Sequence, residues 1–223
     1  MGGKRILLLL GGTYHDFEGF ASTIGAVFRE SGYQLETAYN PNRLVHLEEQ
    51  SIDVVVLYTC LGGTEEDGKR GEDLNTVQTK SLVRWVRAGG GLLAVHAATV
   101  VGDTNPELHR LIGGRFVSHP PPFVFTVYPM FREHPLTAGI RAFSVYDELY
   151  VERYDETVEI QMVAVDRGIC HPMVWSRAEG KGAVVHIALG HGPEVWELQP
   201  YQRLMAQAVE WLVLDGGNPP VVI

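Results

Sequence analysis

With 223 residues, 45% of them hydrophobic and 20% charged, the chain has the make-up of one large globular domain around a sizeable core. A net charge of −9 argues against nucleic-acid binding, which needs a basic surface, and no run reaches the roughly 20 apolar residues of a membrane span. The two cysteines, Cys60 and Cys170, build neither a disulfide framework nor a CxxC zinc pattern, so the expected compartment is the cytoplasm.

The first element, "RILLLLGG", is a continuous apolar run ending in glycines, the pattern of a central parallel strand buried on both faces. It is borderline in length for a secretory signal and reads better as a strand. Phe17, Phe20, Ala21, Ile24, Val27 and Phe28 then mark one face of a helix stopped by Gly32. "YQLETAY" is a half-polar strand and "IDVVVLYT" a buried one. Asn75 caps a helix with Leu82, Val83 and Val86 inward, ended by Gly89–Gly91, and "LLAV" is the fourth strand. Alternation at this spacing predicts a doubly wound parallel sheet, whose ligands bind beyond the carboxyl ends of the strands. Those ends carry Tyr14-His15-Asp16, Cys60 and His96.

From about Arg115 to Ser176 the character changes, with prolines at 120, 121, 122, 129, 135 and 172 and short alternating runs such as "FVFTV" and "ELYVER". These predict antiparallel strands inserted into the core or wrapped over it. The earlier rhythm returns with "GAVVHIALGH", a buried strand ending in His191, and a last helix with Tyr201, Leu204, Met205, Ala208, Val209 and Leu212 on one stripe. No repeat or linker divides the chain, so a single domain over 1–223 with a β-rich insertion is expected.

The stretches "GGTYHDFEGFA", "VRAGGGLLAVHAAT", "LIGGRFVSHPP", "EHPLTAGI", "YDELY" and "GKGAVVHIALGH" come in the order of the motifs of the ThuA-like (trehalose utilisation) family, and the chain resembles that family from about residue 5 to 212. The resemblance implies an α/β fold similar to class I glutamine amidotransferases, a flavodoxin-like three-layer sandwich with a mainly parallel sheet. It also implies a small-molecule substrate, a sugar or keto-sugar derivative. Amidotransferases of that superfamily carry a cysteine on the sharp strand-to-turn elbow, where this sequence has His96, and a late histidine that matches His191. Glu194 is a looser match, because "HGPE" is one residue longer than the amidotransferase "HPE" pattern. Without an elbow thiolate no thioester forms, which excludes glutamine hydrolysis by that route.

An imidazole at the elbow suits acid–base chemistry, metal ligation or hydrogen bonding to a polar ligand. The strand-end rule brings His15 and His191 to the same edge, and His119 in "SHPP" can fold over it, so His15, His96, His119 and His191 are candidate ligands for a divalent metal such as zinc. The bland readings stand beside these: His15 capping the next helix with Asp16, His119 fixing a proline-rich turn, His191 serving as a turn residue. The helix expected to follow the elbow offers free N–H groups near Ala97-Ala98-Thr99, with Thr99 as its cap.

His96 and His191 are the candidate catalytic imidazoles, and Glu148 or Glu194 the acid that orients one of them. Tyr14, Asp147 and Trp196 are candidate substrate contacts; the Asp147-Glu148 pair can equally be an exposed turn. His46, His109, His134 and His171 read as structural or solvated and His186 as part of a buried strand; Trp85 and Trp211 read as packing residues. Neither GxGxxG nor GxxxxGK[ST] opens a helix, so no nucleotide or flavin is predicted. A homo-oligomer is expected from the fold. The rival reading is a non-catalytic binding or scaffolding module.

Overall fold

The computed structural model describes residues 3–62, 73–101 and 105–214. Nine strands form one sheet in the order β2-β1-β3-β4-β11-β10-β9-β6-β7, and β5 and β8 pair as a separate ribbon. Strands β1 (Arg5–Gly12), β2 (Gln34–Ala38), β3 (Val54–Cys60), β4 (Gly91–Val95) and β11 (Gly182–Ile187) are mutually parallel. Helices α1 (Phe17–Glu30) and α5 (Gln199–Leu214) cover one face of this half; α2 (Thr76–Arg87) and α3 (Pro106–Ile112) cover the other. Alternation along β1 divides its side chains between two cores. Ile6, Leu8 and Leu10 join the α1/α5 side, Leu7 and Leu9 the α2/α3 side, and all five are fully buried. This is the predicted three-layer α/β sandwich.

The β-rich segment comprises β5 (Gly114–Ser118), β6 (Phe123–Pro129), β7 (Phe143–Asp147), β8 (Val151–Tyr154), β9 (Glu159–Asp166) and β10 (Ile169–Glu179). Between insertion and wrapping, the chain does both. Strands β10, β9, β6 and β7 continue the main sheet antiparallel beyond β11, while the β5–β8 ribbon contacts the elbow turn. The added strands bury Phe125, Val127, Val145 and Met162 on the α1/α5 side and leave Val124, Tyr128, Tyr146 and Val165 exposed on the other. A one-faced strand needs alternating residues, and that alternation is what "FVFTV" encodes.

Helix starts follow local chemistry. Asn75 and Gln78 form a capping box on α2, and Asp16 alone caps α1, accepting from the Gly19 N–H at 2.8 Å. His15 takes no part in that cap. The elbow departs from expectation: β4 runs into a four-residue 3-10 turn, His96–Thr99, and the next helix, α3, starts only at Pro106 behind its Asn105 cap. Thr99 therefore caps nothing, and no helix N-terminus stands at the elbow. Among the described residues no helix is long and apolar enough to cross a membrane.

Candidate functional site

At the carboxyl edge of the parallel half, β1, β3, β4 and β11 lie side by side, and their ends deliver His15, Cys60, His96 and His191 in that order. Two non-glycine residues here sit in the left-handed region, Tyr14 at φ 68° and His96 at φ 47°. Such backbone persists only where the surroundings hold it. Gly12 allows the close approach of β1 to β3, since a Cβ there would fall 2.3 Å from the Cys60 carbonyl oxygen.

The three rings converge. Centroids of His15 and His191 are 4.9 Å apart, of His15 and His96 5.1 Å, and of His96 and His191 5.5 Å. The Nδ1 of His15 lies 2.8 Å from the Thr13 carbonyl oxygen and that of His96 lies 2.7 Å from the Ala188 carbonyl oxygen. A carbonyl only accepts, so both Nδ1 atoms carry the proton and both Nε2 atoms present a lone pair when the rings are neutral. These Nε2 atoms and His191 Nδ1 are buried with no hydrogen-bond partner among the described residues. Three unsatisfied buried nitrogens facing one point are a costly arrangement that a bound cation would repair.

Glu148 completes the group. Its Oε2 is 3.2 Å from His191 Nδ1 and 3.5 Å from His96 Nε2, and one ligand atom from each of the four residues lies within 4.8 Å of every other. Ligands about 2.0–2.1 Å from a tetrahedral zinc stand about 3.3 Å apart, so the Glu148 contacts already have the right span. The donor set, three imidazoles and a carboxylate, suits a borderline divalent ion. Burial first, then the neighbouring His96, lowers the His15 pKa to about 3 against the opposing pull of Thr13, which keeps that ring neutral. Burial raises Glu148, but His191 and His96 outweigh it and hold the carboxyl well below the ordinary range. His191 is raised, chiefly by Glu148.

Asp147 explains why Glu148 arrives here from β7, the far edge of the sheet. It is 2% exposed, and its carboxylate accepts from the N–H groups of Gly190 at 2.8 Å, His191 at 3.2 Å and Glu148 at 2.9 Å. It is thus a buried fastening between two loops and does not line the cleft above the group; burial raises its pKa. Trp196 also leaves the expected role. It is 1% exposed, packs against Phe20 and Tyr58, and donates to the Gly190 carbonyl at 2.6 Å, which also receives the Tyr58 hydroxyl at 2.9 Å. Gly190, at φ 126°, admits no side chain, because a Cβ would meet the Tyr201 hydroxyl at 2.5 Å. The peptide that carries His191 is pinned from every side.

The remaining candidates separate. Glu194 is exposed in the first turn of α4 (Pro193–Trp196) and lies outside the cluster. His119 also lies outside the four-residue group: its Nε2 is 3.6 Å from Glu148 Oε1, on the side away from the other imidazoles, and its Nδ1 faces the Pro120 carbonyl. The elbow does not expose His96 as expected; the ring is fully buried and stacked 4.2 Å from Tyr150, with Nε2 toward the cluster. Above lies a cleft of about 920 Å³ lined by His15, His191, Glu148 and His119, by Tyr14, Phe116 and Tyr150, and by Val100, Val101, Cys60 and Arg115 among others. A second buried polar group, Thr99, Glu152 and His186, is one that the sequence did not reveal. Its one signal was the alternation of Glu148, Tyr150 and Glu152, all of which point inward.

The sequence matches the model of the ThuA family, described as "Trehalose utilisation", over residues 5–212. The chain belongs to the ThuA family. Solved relatives of this family include a ThuA-like protein from Parabacteroides merdae ATCC 43184, 18% identical with a TM-score of 0.80 over 99% of this chain and 93% of that one. Another, from Bacteroides uniformis ATCC 8492, is 20% identical with a TM-score of 0.71 over 94% and 91%. A protein from Salmonella typhimurium LT2 described as cytoplasmic is 12% identical with a TM-score of 0.70 over 93% and 99%. At these identities the likeness shows the fold. No curated protein matches in sequence.

Proposed function

We propose that this ThuA-family protein is a cytoplasmic enzyme acting on a sugar or keto-sugar derivative, using histidine acid–base and metal-assisted chemistry at His15, His96, Glu148 and His191. One observation carries the reading: three buried imidazole nitrogens that lack a hydrogen bond among the described residues converge with a carboxylate, and His15, His191 and Glu148 of this group line the cleft. His15, His96, Glu148 and His191 would hold a divalent cation, which would supply Lewis-acid polarisation of a substrate oxygen. Around that point the chain's own groups divide the work. Thr13 and Ala188 fix the tautomers of His15 and His96, and Asp147 sets His191 and Glu148. His119, beside the outer oxygen of Glu148 and on the cleft wall, is placed to exchange a proton with a substrate hydroxyl. The rings of Tyr14 and Phe116 offer apolar faces to the C–H surface of a sugar. The sugar itself rests on the family.

The test is metal analysis of dialysed protein together with turnover of a panel of sugars and keto-sugars. The expected result is stoichiometric divalent metal, with metal and turnover both lost in His96→Ala. Stoichiometric metal without turnover would favour the binding-module reading. Wild-type protein that neither holds nor is thermally stabilised by zinc, cobalt or manganese would overturn the metal site.

A further inference from the structure

Beneath the elbow lies a second polar cluster with the opposite character. Glu152 of β8 and His186 of β11 have side chains 1% and 0% exposed, with Glu152 Oε2 3.1 Å from His186 Nε2. The other oxygen of Glu152 accepts from the Thr99 hydroxyl at 2.5 Å. The other nitrogen of His186 is 3.1 Å from the Ala94 carbonyl oxygen, so Nδ1 carries a proton and donates it there. Trp175 packs over the His186 ring at 4.2 Å.

The two ends of this chain of contacts are the point. Ala94 is two residues before His96, and Thr99 is three after it, at the end of the 3-10 turn. Glu152 and His186 therefore bridge the elbow from the strand that enters it to the turn that leaves it. Thr99 Oγ1 also lies 3.3 Å from the His96 carbonyl oxygen, tying the bridge to the strained residue itself. Neither Glu152 nor Thr99 lines the cleft, and neither belongs to the four-residue cluster.

We infer that Glu152 and His186 are positioning residues: through Thr99 and Ala94 they clamp the elbow and hold His96 in its left-handed backbone, which aims Nε2 at the metal site. The Ala188 hydrogen bond sets the ring's rotation, but it sits on a separate loop and cannot fix the backbone at φ 47°. With the bridge cut, the turn relaxes and His96 Nε2 leaves the point shared with His15, His191 and Glu148. The consequence for metal affinity rests on the metal reading above; the consequence for the backbone does not.

Three variants test the clamp. Thr99→Val keeps the shape and removes the hydroxyl. Glu152→Leu leaves Thr99 and His186 without their partner. Glu152→Gln keeps every contact, because its carbonyl oxygen accepts from Thr99 and its amide donates to a neutral His186. Cobalt(II) titrations, read by calorimetry and by the visible ligand-field bands, should show Thr99→Val and Glu152→Leu binding roughly 10–100-fold more weakly with altered bands, and Glu152→Gln near wild type. Purely structural damage would lower the melting temperature while leaving the bands of the folded fraction unchanged; that result, or wild-type affinity in Thr99→Val, overturns the proposal. If Glu152→Leu does not fold, Thr99→Val decides. If wild-type protein takes up no cobalt, the metal reading fails, and a metal-free crystal structure of Thr99→Val still decides the clamp. Departure of His96 from positive φ supports it, and an unmoved elbow sinks it.

Discussion

Two polar clusters flank one elbow, the lower built on His186 and the upper on His15, His96 and His191, and they differ most in how their ring nitrogens are satisfied. In the lower one, His186 has both ring nitrogens paired, to Ala94 and Glu152, and the Glu152 oxygens are shared between His186 and Thr99. In the upper one, His15 and His96 each have one nitrogen paired to a backbone carbonyl, while His15 Nε2, His96 Nε2 and His191 Nδ1 are buried without a hydrogen bond among the described residues, the last two facing the shared Glu148 carboxylate. Folded chains rarely leave such groups bare, since each costs about 1–3 kcal/mol. The lower cluster is complete as a piece of structure. The upper one leaves three buried ring nitrogens without a hydrogen bond among the described residues, and that contrast, more than the number of histidines, is what supports the proposed site.

The comparison breaks most visibly with pH. The His15 pKa is lowered from 6.5 to about 3, so below pH 6.5 the unfolded chain takes up a proton that the folded, metal-free chain refuses. Stability should therefore fall as pH drops from 6.5 toward 3. Each tenfold loss of proton affinity on folding is worth about 1.4 kcal/mol, less for a ring that keeps some contact with solvent, so the whole loss is a few kcal/mol. His191 acts with the opposite sign. Its raised pKa gives stability that is full below 6.5 and lost as pH climbs through the folded value. Glu148, lowered, adds its own loss below about 4.5. Urea midpoints of chelated protein between pH 8 and 4 should therefore rise slightly and then fall. His15→Gln should flatten the limb between 6 and 4.5; an unchanged limb would mean that His15 is no more buried in a hostile field than an ordinary surface histidine.

How much of this was readable from residues alone differs between the two clusters. His15, His96 and His191 follow from one rule, that ligands gather at the ends of parallel strands, because apolar runs such as "RILLLLGG" and "LLAV" announce those strands. Glu148 was visible as chemistry but not as a neighbour of His191. It comes from β7, an antiparallel strand at the far edge, and only the Asp147 fastening brings it across. His119 was drawn to the right loop but stands behind Glu148 instead of beside the other imidazoles. Trp196 read as a stacking face because its neighbours are polar, yet an indole with a carbonyl acceptor at 2.6 Å is at home in a core. The lower cluster had almost no signal. A buried Glu–His pair is set by contacts between β8 and β11, and nothing in a linear pattern encodes which partner a polar residue will find. The 3-10 turn at the elbow escaped for a related reason. Small residues such as Ala97 and Ala98 suit a helix start as well as a tight turn, and the Glu152 carboxylate to which the Thr99 hydroxyl donates is a partner that no linear pattern names.

Asp147 offers a smaller and sharper probe. Its carboxylate accepts three backbone N–H groups, and Asp147→Asn must turn an NH2 group toward at least one of them. The expected cost is about 2–3 kcal/mol, the range for a buried, charge-assisted contact, measured by chemical unfolding. Because the same group sets His191 and Glu148 together, metal affinity should fall with it. Loss of stability with unchanged affinity would show that the two ligands are placed without their common fastening.

The smallest expected effect concerns the acid that the resemblance pointed to by sequence position. In the amidotransferase arrangement a late histidine and a nearby glutamate act as a pair, and Glu194 is the residue that the sequence offers for that role. The extra glycine in "HGPE" puts Glu194 in the first turn of α4, exposed, while His191 Nδ1 stands beside Glu148 instead. Its influence on His191 is a weak Coulombic one behind Glu148 and Asp147. Glu194→Ala should thus change stability by no more than about 0.5 kcal/mol and leave metal content and turnover near wild type. Glu148→Gln, by contrast, should lose both. If the ranking were reversed, the working acid would be the one inherited by position along the chain, and the convergence of Glu148 on three imidazoles would be packing without consequence. The two substitutions, made in parallel and read by metal content, separate position along the chain from geometry as the guide to function.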